Sequence, residues 1–226
     1  SEETARLLAA NNSQAPITAM ANTIKITVEG LAEALAEEGV TAQPHPWLAD
    51  CLILSKTGNL ERLAAFRDGL FYVQDPASKL AALALDPKPD MQVLDCCAAP
   101  GGKSFACAIR MEGRGEVISC DLHPHKKKLI QAGADRLGLE NITPMTADGK
   151  AFRPEWESAF DRVLVDAPCS GLGVIRKKPD IRYKDPGPLA DLPQVQRAIL
   201  DNAARYVKPG GVLVYSTCTL LRRENE

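Results

Sequence analysis

Two cysteines occupy matching places in the second half of the chain: Cys169, in Asp166-Ala167-Pro168-Cys169-Ser170-Gly171, and Cys218, in Ser216-Thr217-Cys218-Thr219. A thiol does chemistry as its thiolate, as a nucleophile or as a proton acceptor, once its surroundings bring a reference pKa of about 8.5 toward neutrality. Each cysteine follows a short apolar run, Arg162-Val163-Leu164-Val165 before one and Gly211-Val212-Leu213-Val214-Tyr215 before the other. Such runs read as buried strands. In an open, mostly parallel α/β sheet, ligand chemistry sits just beyond the carboxyl ends of the strands. The pattern therefore predicts two thiols delivered to one end of one sheet as paired catalytic groups.

The strands that deliver them belong to a longer alternation. From Met91 onward the sequence predicts strand Gln92-Val93-Leu94-Asp95, a helix over 103–110, and strand Glu116-Val117-Ile118-Ser119-Cys120 ending at Asp121. A helix Pro124–Leu137 follows, then strands at 142–145, 162–165 and 212–215, with a helix over 192–207 that stops at Pro209-Gly210-Gly211. Alternation of this kind marks a parallel sheet with helices on its faces. The expected fold class is α/β: a Rossmann-like, doubly wound sheet over residues 76–226, with a small N-terminal α+β accessory subdomain over residues 1–75. In that subdomain a helix is expected over 3–10, a strand-like alternation over 17–26, and a helix capped by Thr27 with an apolar face of Val28, Leu31 and Leu35, ending at Gly39. Cys51-Leu52-Ile53-Leu54 and Leu70-Phe71-Tyr72-Val73 read as strands, with a short helix near 60–66 between them. Pro76 starts a helix over 77–85, and Asp86-Pro87-Lys88-Pro89-Asp90 breaks the chain. The chain opens mid-helix without methionine and stops directly after the Cys218 loop. Truncation is expected at both ends, the C-terminal one leaving the sheet incomplete.

The turn out of the first of these parallel strands, Asp95-Cys96-Cys97-Ala98-Ala99-Pro100-Gly101-Gly102-Lys103, is the candidate cofactor loop. Glycines let a backbone approach a ligand closely, and the following helix N-terminus offers free N–H groups. The loop is neither the G-x-G-x-x-G of dinucleotide enzymes nor a phosphate loop; Gly101-Gly102-Lys103-Ser104 echoes the latter, but no glycine stands at position 97. Asp121 closes the second parallel strand, where an acidic residue commonly bonds ribose hydroxyls. Asp148 follows the third and could reach an adenine amino group, and Asp166 ends the fourth. Carboxylates at three strand tips suit a ligand with ribose and adenine but no pyrophosphate. S-adenosylmethionine is that ligand, with Cys97, Ala98, Ala99, Pro100, Gly101, Gly102, Lys103, Asp121, Asp148 and Asp166 as its candidate binding residues.

Bulk properties narrow the setting. The 226 residues suit one large domain or a catalytic domain plus a small accessory one, and 45% hydrophobic content supplies a core. No apolar run approaches the roughly 20 residues needed to span a bilayer, and Ser1-Glu2-Glu3-Thr4 has no basic start or apolar signal core. A cytoplasmic location without membrane contact is expected. Seven cysteines (51, 96, 97, 107, 120, 169 and 218) contain no C-x-x-C pair, and His45, His123 and His125 add no ligand spacing, so no metal is expected. Cys96, Cys107 and Cys120 read as core residues. The net charge of −2 excludes nucleic-acid binding over the whole surface. Residues 1–75 carry five Lys and Arg against ten Asp and Glu. Basic clusters follow at Lys126-Lys127-Lys128, at Arg176-Lys177-Lys178 with Arg182 and Lys184, and at Arg222-Arg223; the second lies where a phosphate backbone entering the site could be held.

Paired thiols beside a methyl donor suit one chemistry well. Carbon 5 of cytosine is a poor nucleophile until a thiolate adds to carbon 6, and a base must later remove the proton from carbon 5 so that the enzyme can leave. At this point the chain resembles bacterial ribosomal RNA (cytosine-5) methyltransferases of the Sun type. The matching stretches are Phe71-Tyr72-Val73-Gln74-Asp75-Pro76-Ala77-Ser78, residues 97–103, Asp121-Leu122-His123-Pro124-His125-Lys126, residues 166–171 and Ser216-Thr217-Cys218. The resemblance covers about residues 5–226. It implies that Cys218 is the nucleophile and that Cys169 assists product release. DNA cytosine methyltransferases use the Pro-Cys position as nucleophile instead, so this assignment rests on the resemblance. It also implies that Asp166 contacts the cofactor or the cytosine edge, that Lys103 supports the site, and that residues 1–75 contact RNA. The implied partner is small-subunit (16S) ribosomal RNA, with tRNA as an alternative of the same chemistry; the sequence does not reveal the oligomeric state, and a monomer is the default expectation. The family often carries an N-terminal helical RNA-binding domain, of which only the tail stands here, and sequence beyond Glu226 that should complete the sheet and part of the RNA groove is missing, so this chain is expected to bind cofactor yet transfer methyl poorly. A dithiol redox protein would leave the cofactor loop unexplained. A non-catalytic RNA-binding module would not need both cysteines, and a protein amide methylase would more often show an Asn/Asp-Pro-Pro-Tyr type loop at 166–169.

Overall fold

In the computed structural model, which describes residues 2–183, 185 and 187–226, two sheets share the chain. Ser1 and Lys184, named above, lie outside the described residues. The first part runs α1 (Glu2–Asn11), β1 (Ile17–Ala21), α2 (Val28–Glu37), β2 (Thr41–Pro44), β3 (Cys51–Ser55), α3 (Ala64–Arg67) and β4 (Phe71–Val73). Its strands form an antiparallel sheet in the order β2-β3-β1-β4. Alternate residues serve opposite faces, as the two-residue period of a strand requires. Ala19, Ala21, Leu52, Leu54 and Phe71 pack with Leu31 and Leu35 of α2, whereas Met20, Cys51 and Tyr72 join the core of the second sheet.

Thr27 caps α2 as expected, accepting a hydrogen bond from the Gly30 N–H. Two readings change. The alternation over 17–26 is a strand only to Ala21, because Asn22 turns the chain: its carbonyl accepts the N–H groups of Lys25 and Ile26. Strand β2 was invisible to periodicity because its four residues are polar or small and none is fully buried.

The second part runs α4 (Pro76–Leu85), β5 (Gln92–Asp95), α5 (Gly102–Arg110), β6 (Glu116–Asp121), α6 (Pro124–Leu137), β7 (Ile142–Thr146), β8 (Phe160–Asp166), α7 (Leu192–Tyr206) and β9 (Val207–Ser216). All five strands are parallel, in the order β7-β6-β5-β8-β9. One face buries Val93, Val117 and Leu164 against Leu85 of α4, Phe105 of α5 and Ile130 of α6. The other buries Leu94, Val163 and Val165 against Ile199, Ala203 and Tyr206 of α7. Helices thus cover both faces of a Rossmann-like, doubly wound sheet, as expected.

The helix predicted over 192–207 ends one residue earlier, at Tyr206, and Pro209-Gly210-Gly211 lies inside β9 rather than before it. Register shows why: Phe160 pairs with Val207 and Arg162 with Val212, so residues 208–211 bulge opposite Asp161. The bulge is pinned by Lys208, whose Nζ reaches Asp161 Oδ1 and Oδ2 at 2.9 and 3.0 Å.

Candidate active site

A parallel sheet places all its carboxyl ends on one edge, and this edge collects the candidate residues. Loop 97–103 follows β5 at the centre; Asp121 and Asp148 lie to one side, after β6 and β7; Asp166, Cys169 and Cys218 lie to the other, after β8 and β9. The chain reverses its direction of winding between β5 and β8, the switch point where such sheets bind ligands.

On the cofactor side, Ala98 N–H donates to the Cys120 carbonyl at 2.7 Å and Gly101 N–H to the Ala98 carbonyl at 2.7 Å, folding the loop over the strand tips. Gly101 has φ +116°, and a Cβ there would stand 2.4 Å from the Phe105 ring, so this position accepts only glycine. Pro100 is exposed, Ala99 and Cys97 partly so, and burial pushes the Cys97 thiol far up, which keeps it neutral. Asp121 is 7% exposed and accepts the His123 N–H at 3.1 Å. Asp148 accepts the Lys150 N–H at 2.9 Å.

Asp95 opens the candidate loop but was not among the binding residues expected from the sequence; it lies buried under the loop. Burial raises its carboxyl to about 6, even though Ser104 Oγ donates to Oδ2 at 2.8 Å. Its Oδ1 is buried with no hydrogen-bond partner among the described residues. An unpartnered carboxylate oxygen, with further carboxylates at neighbouring strand tips, suits a cofactor bearing an ammonium and a sulfonium, and the residues fit S-adenosylmethionine on that ground.

On the other side, Lys103 Nζ donates to Asp166 Oδ2 at 2.5 Å and to Ser78 Oγ at 2.7 Å. Ser216 Oγ donates to Asp166 Oδ1 at 2.8 Å. Asp166 therefore joins α5, β8 and the end of β9. The two cysteines meet here. Cys169 Sγ and Cys218 Sγ are 3.2 Å apart, and Cys218 N–H points at Cys169 Sγ from 3.3 Å. The hydrogen bond from the Cys218 thiol, helped by the N–H groups of Cys218 and Gly171 and opposed by burial and the Glu224 charge, brings Cys169 down to about 7. That same bond, with burial and the Asp166 charge, pushes Cys218 well up. Of the two thiols, Cys169 is therefore the more acidic.

The basic cluster beyond Cys169 is less available than its composition suggests. Arg176 donates to the carbonyls of Ser13 and Gln14, Arg182 to the Asn11 carbonyl and Asn12 Oδ1, and Lys177 pairs with Asp75 at 2.5 Å. A cavity of about 680 Å³ runs from Lys103 and Asp166 past Gln74 to Asn59 and Arg136. Sequence reasoning gave Ser216 no role although it lies in the Ser216-Thr217-Cys218 stretch, and it missed Gln196 and Glu224, whose polar side chains sit in no recognisable spacing.

Fold, loop and acidic tips together give this chain the architecture and cofactor of the S-adenosylmethionine-dependent methyltransferases. Within that class it belongs to the family described as 16S rRNA methyltransferase RsmB/F, which matches residues 82–226; a ferredoxin-like domain described as RsmF/B-like matches residues 1–61. It is 47% identical over 207 residues to a protein of Bacillus subtilis (strain 168) named probable ribosomal RNA small subunit methyltransferase B, covering 91% of this chain and 46% of that protein. Among solved structures it is similar to PH0851 (34% identity, TM-score 0.94, 99% of this chain and 51% of that one). It is also similar to a methyltransferase homologue from Pyrococcus horikoshii (31% identity, TM-score 0.83, 99% of this chain and 71% of that one). The chain spans about half the length of the curated relatives it matches.

Proposed function

We propose that this chain carries the catalytic core of an RNA methyltransferase that methylates carbon 5 of a cytosine, in small-subunit (16S) ribosomal RNA, through a covalent cysteine–cytosine adduct. The observation that supports it most is the thiol pair, 3.2 Å apart, at the same sheet edge as the cofactor loop. The names of the relatives support the RNA class. In this reading residues 76–226 form the catalytic unit and residues 1–75 an accessory unit that contacts RNA along the cavity between them.

The chain's own residues account for the proton traffic. As Cys218 Sγ bonds to carbon 6 of the base, its proton passes to Cys169 or, where that thiol is absent, to solvent. With a thiol near 7, Cys169 then exchanges its proton with solvent at neutral pH and is ready to accept the carbon-5 proton when the adduct breaks down. Asp166, held by Lys103 and Ser216, faces the base and orients its polar edge. Bound S-adenosylmethionine, held by residues 97–103, Asp121 and Asp148, supplies the electrophilic methyl group.

The test is the Cys169→Ser variant incubated with S-adenosylmethionine and unmodified small-subunit RNA, then run on a denaturing gel. A slow band that needs RNA and vanishes when Cys218 is also replaced is the expected result. Dependence of the band on tRNA instead would move the substrate, and no band with any RNA would overturn the reading.

A further inference from the structure

The segment after Cys218 doubles back beneath the Cys169 loop. Residues Arg222–Glu224 make one 3₁₀ turn, and Glu224 at its end is 3% exposed. Carboxylates are almost never buried to that degree without a task or a countercharge. Its Oε2 accepts two hydrogen bonds, from Ser170 N–H at 2.9 Å and from Gln196 Nε2 at 2.9 Å. Gln196 Nε2 also donates to the Pro168 carbonyl at 2.9 Å. Residues 168 and 170, on either side of Cys169, therefore both depend on the Glu224–Gln196 unit.

The other cysteine is tied into the same unit. Ser170 Oγ and Thr219 Oγ1, the latter next to Cys218, are 2.6 Å apart. Tyr215 Oη, at the end of β9, donates to the Glu224 carbonyl at 2.9 Å. Asn225 Nδ2 donates to the carbonyls of Thr219 and Leu221, which closes the turn on itself.

From this we infer that Glu224 is a positioning residue: it sets the two cysteine loops against each other, and so fixes the reach from Cys169 Sγ to Cys218 Sγ. It touches neither sulfur by hydrogen bond and acts through Ser170 and Gln196. A side chain of equal volume without acceptors would leave both of those donors buried and unpaired.

Its charge has a separate consequence. Cys169 is faced by Cys218, Tyr215 and Glu224, and Cys218 in turn by Asp166 and Lys103. Glu224 opposes the Cys169 thiolate from within this set. Removing the charge while keeping an acceptor must make Cys169 more acidic. Glu224 itself stays ionised, because the bonds from Ser170 and Gln196, with nearby Arg223, more than offset its burial.

The turnover part of the test rests on the cytosine-5 reading; the thiol part does not. Glu224→Ala and Glu224→Gln are compared with the unaltered chain in two assays. In the first, iodoacetamide alkylation of Cys169 and Cys218 is followed against pH and resolved by peptide mass. Glu224→Gln is expected to shift the Cys169 midpoint to lower pH, and Glu224→Ala, by parting the loops, to uncouple the two thiols so that each alkylates with the midpoint of an isolated cysteine. In the second, methyl transfer to RNA is expected to fall by on the order of 10²-fold in kcat for Glu224→Ala, as for a misplacement of about 1 Å. KM for RNA and the cofactor affinity stay unchanged, and Glu224→Gln restores most of the rate. Unchanged alkylation in both variants overturns the inference. So does a rate loss matched by lost cofactor binding, which would mean general unfolding. If the unaltered chain alkylates as described but methylates no RNA, the proposed reaction fails and the placement of Glu224 stands.

Discussion

Gly173 shows how tightly single residues constrain the thiol pair. Its N–H donates to the Cys218 carbonyl at 2.9 Å, and a Cβ on it would meet that same oxygen at 2.9 Å. The obstacle is backbone, which cannot swing aside as a flexible side chain would. Gly173→Ala is therefore expected to part the two loops and lower single-turnover methyl transfer by roughly 10²-fold, with cofactor affinity unchanged; calorimetric titration beside a rate assay checks both. The low Cys169 value makes a second measurable statement. In the proposed reaction adduct breakdown needs Cys169 as thiolate to take the carbon-5 proton, so the rate of product release should rise with pH through about 7 and level off above it. A rate flat between pH 6 and 8 would contradict that role. Cys169 and Cys218 were legible in the sequence because each follows an apolar run. Their spacing was not, since it is set by Gly173, Ser170 and Glu224, which no local pattern singles out.

Among elements, the tie between β5, α5 and β6 carries the most consequence. Asp95 Oδ2 accepts from Ser104 of α5, and Ser119 of β6 donates to Ser104 Oγ at 2.8 Å. Burial raises Asp95 to about 6, above its value in the unfolded chain. A raised carboxyl means that the folded state binds the proton more tightly, so stability falls as pH rises from about 4 to 6 and the penalty is complete above 6. Asp95→Asn removes the charge. The variant should match the unaltered chain at pH 4 and gain on it by about 1–3 kcal/mol by pH 7, while binding S-adenosylmethionine more weakly; urea titrations across that range decide it. Sequence reasoning placed every strand of the parallel sheet: four carry apolar runs bounded by Gly, Pro and Asp, which are strong local evidence, and β7, with Thr143 and Pro144 inside it, followed from its place in the alternation. It missed β2, and it put the end of α7 one residue late, because pairing partners rather than local pattern define both.

At the scale of the molecule, the two sheets are bound into one body. Met20, Cys51 and Tyr72 of the first share a cluster with Val93, Phe105 and Leu137 of the second. Asn22 Nδ2 bridges the Gly69 and Leu137 carbonyls at 3.0 and 2.8 Å, and Arg136 donates to the carbonyls of Phe66 and Phe71 while its guanidinium lies 3.8 Å above the Phe66 ring. Unfolding followed at Trp47 in the first part and at Trp156 in the second should give coincident transitions, and Asn22→Ala should move both together by about 1–3 kcal/mol. Two separated transitions would contradict a shared core. The bonds from Arg176 to Ser13 and Gln14 bear on how the chain is made, because Arg176 and Ser13 are 163 positions apart. During translation at about 5–20 residues per second, Arg176 leaves the ribosome about 8 to 33 s after Ser13. None of the described residues of helix α1 is buried, so bonds such as these supply its tertiary support. The segment around Ser13 therefore lacks these partners until the loop beyond Cys169 is synthesised, and the two become ordered in one event.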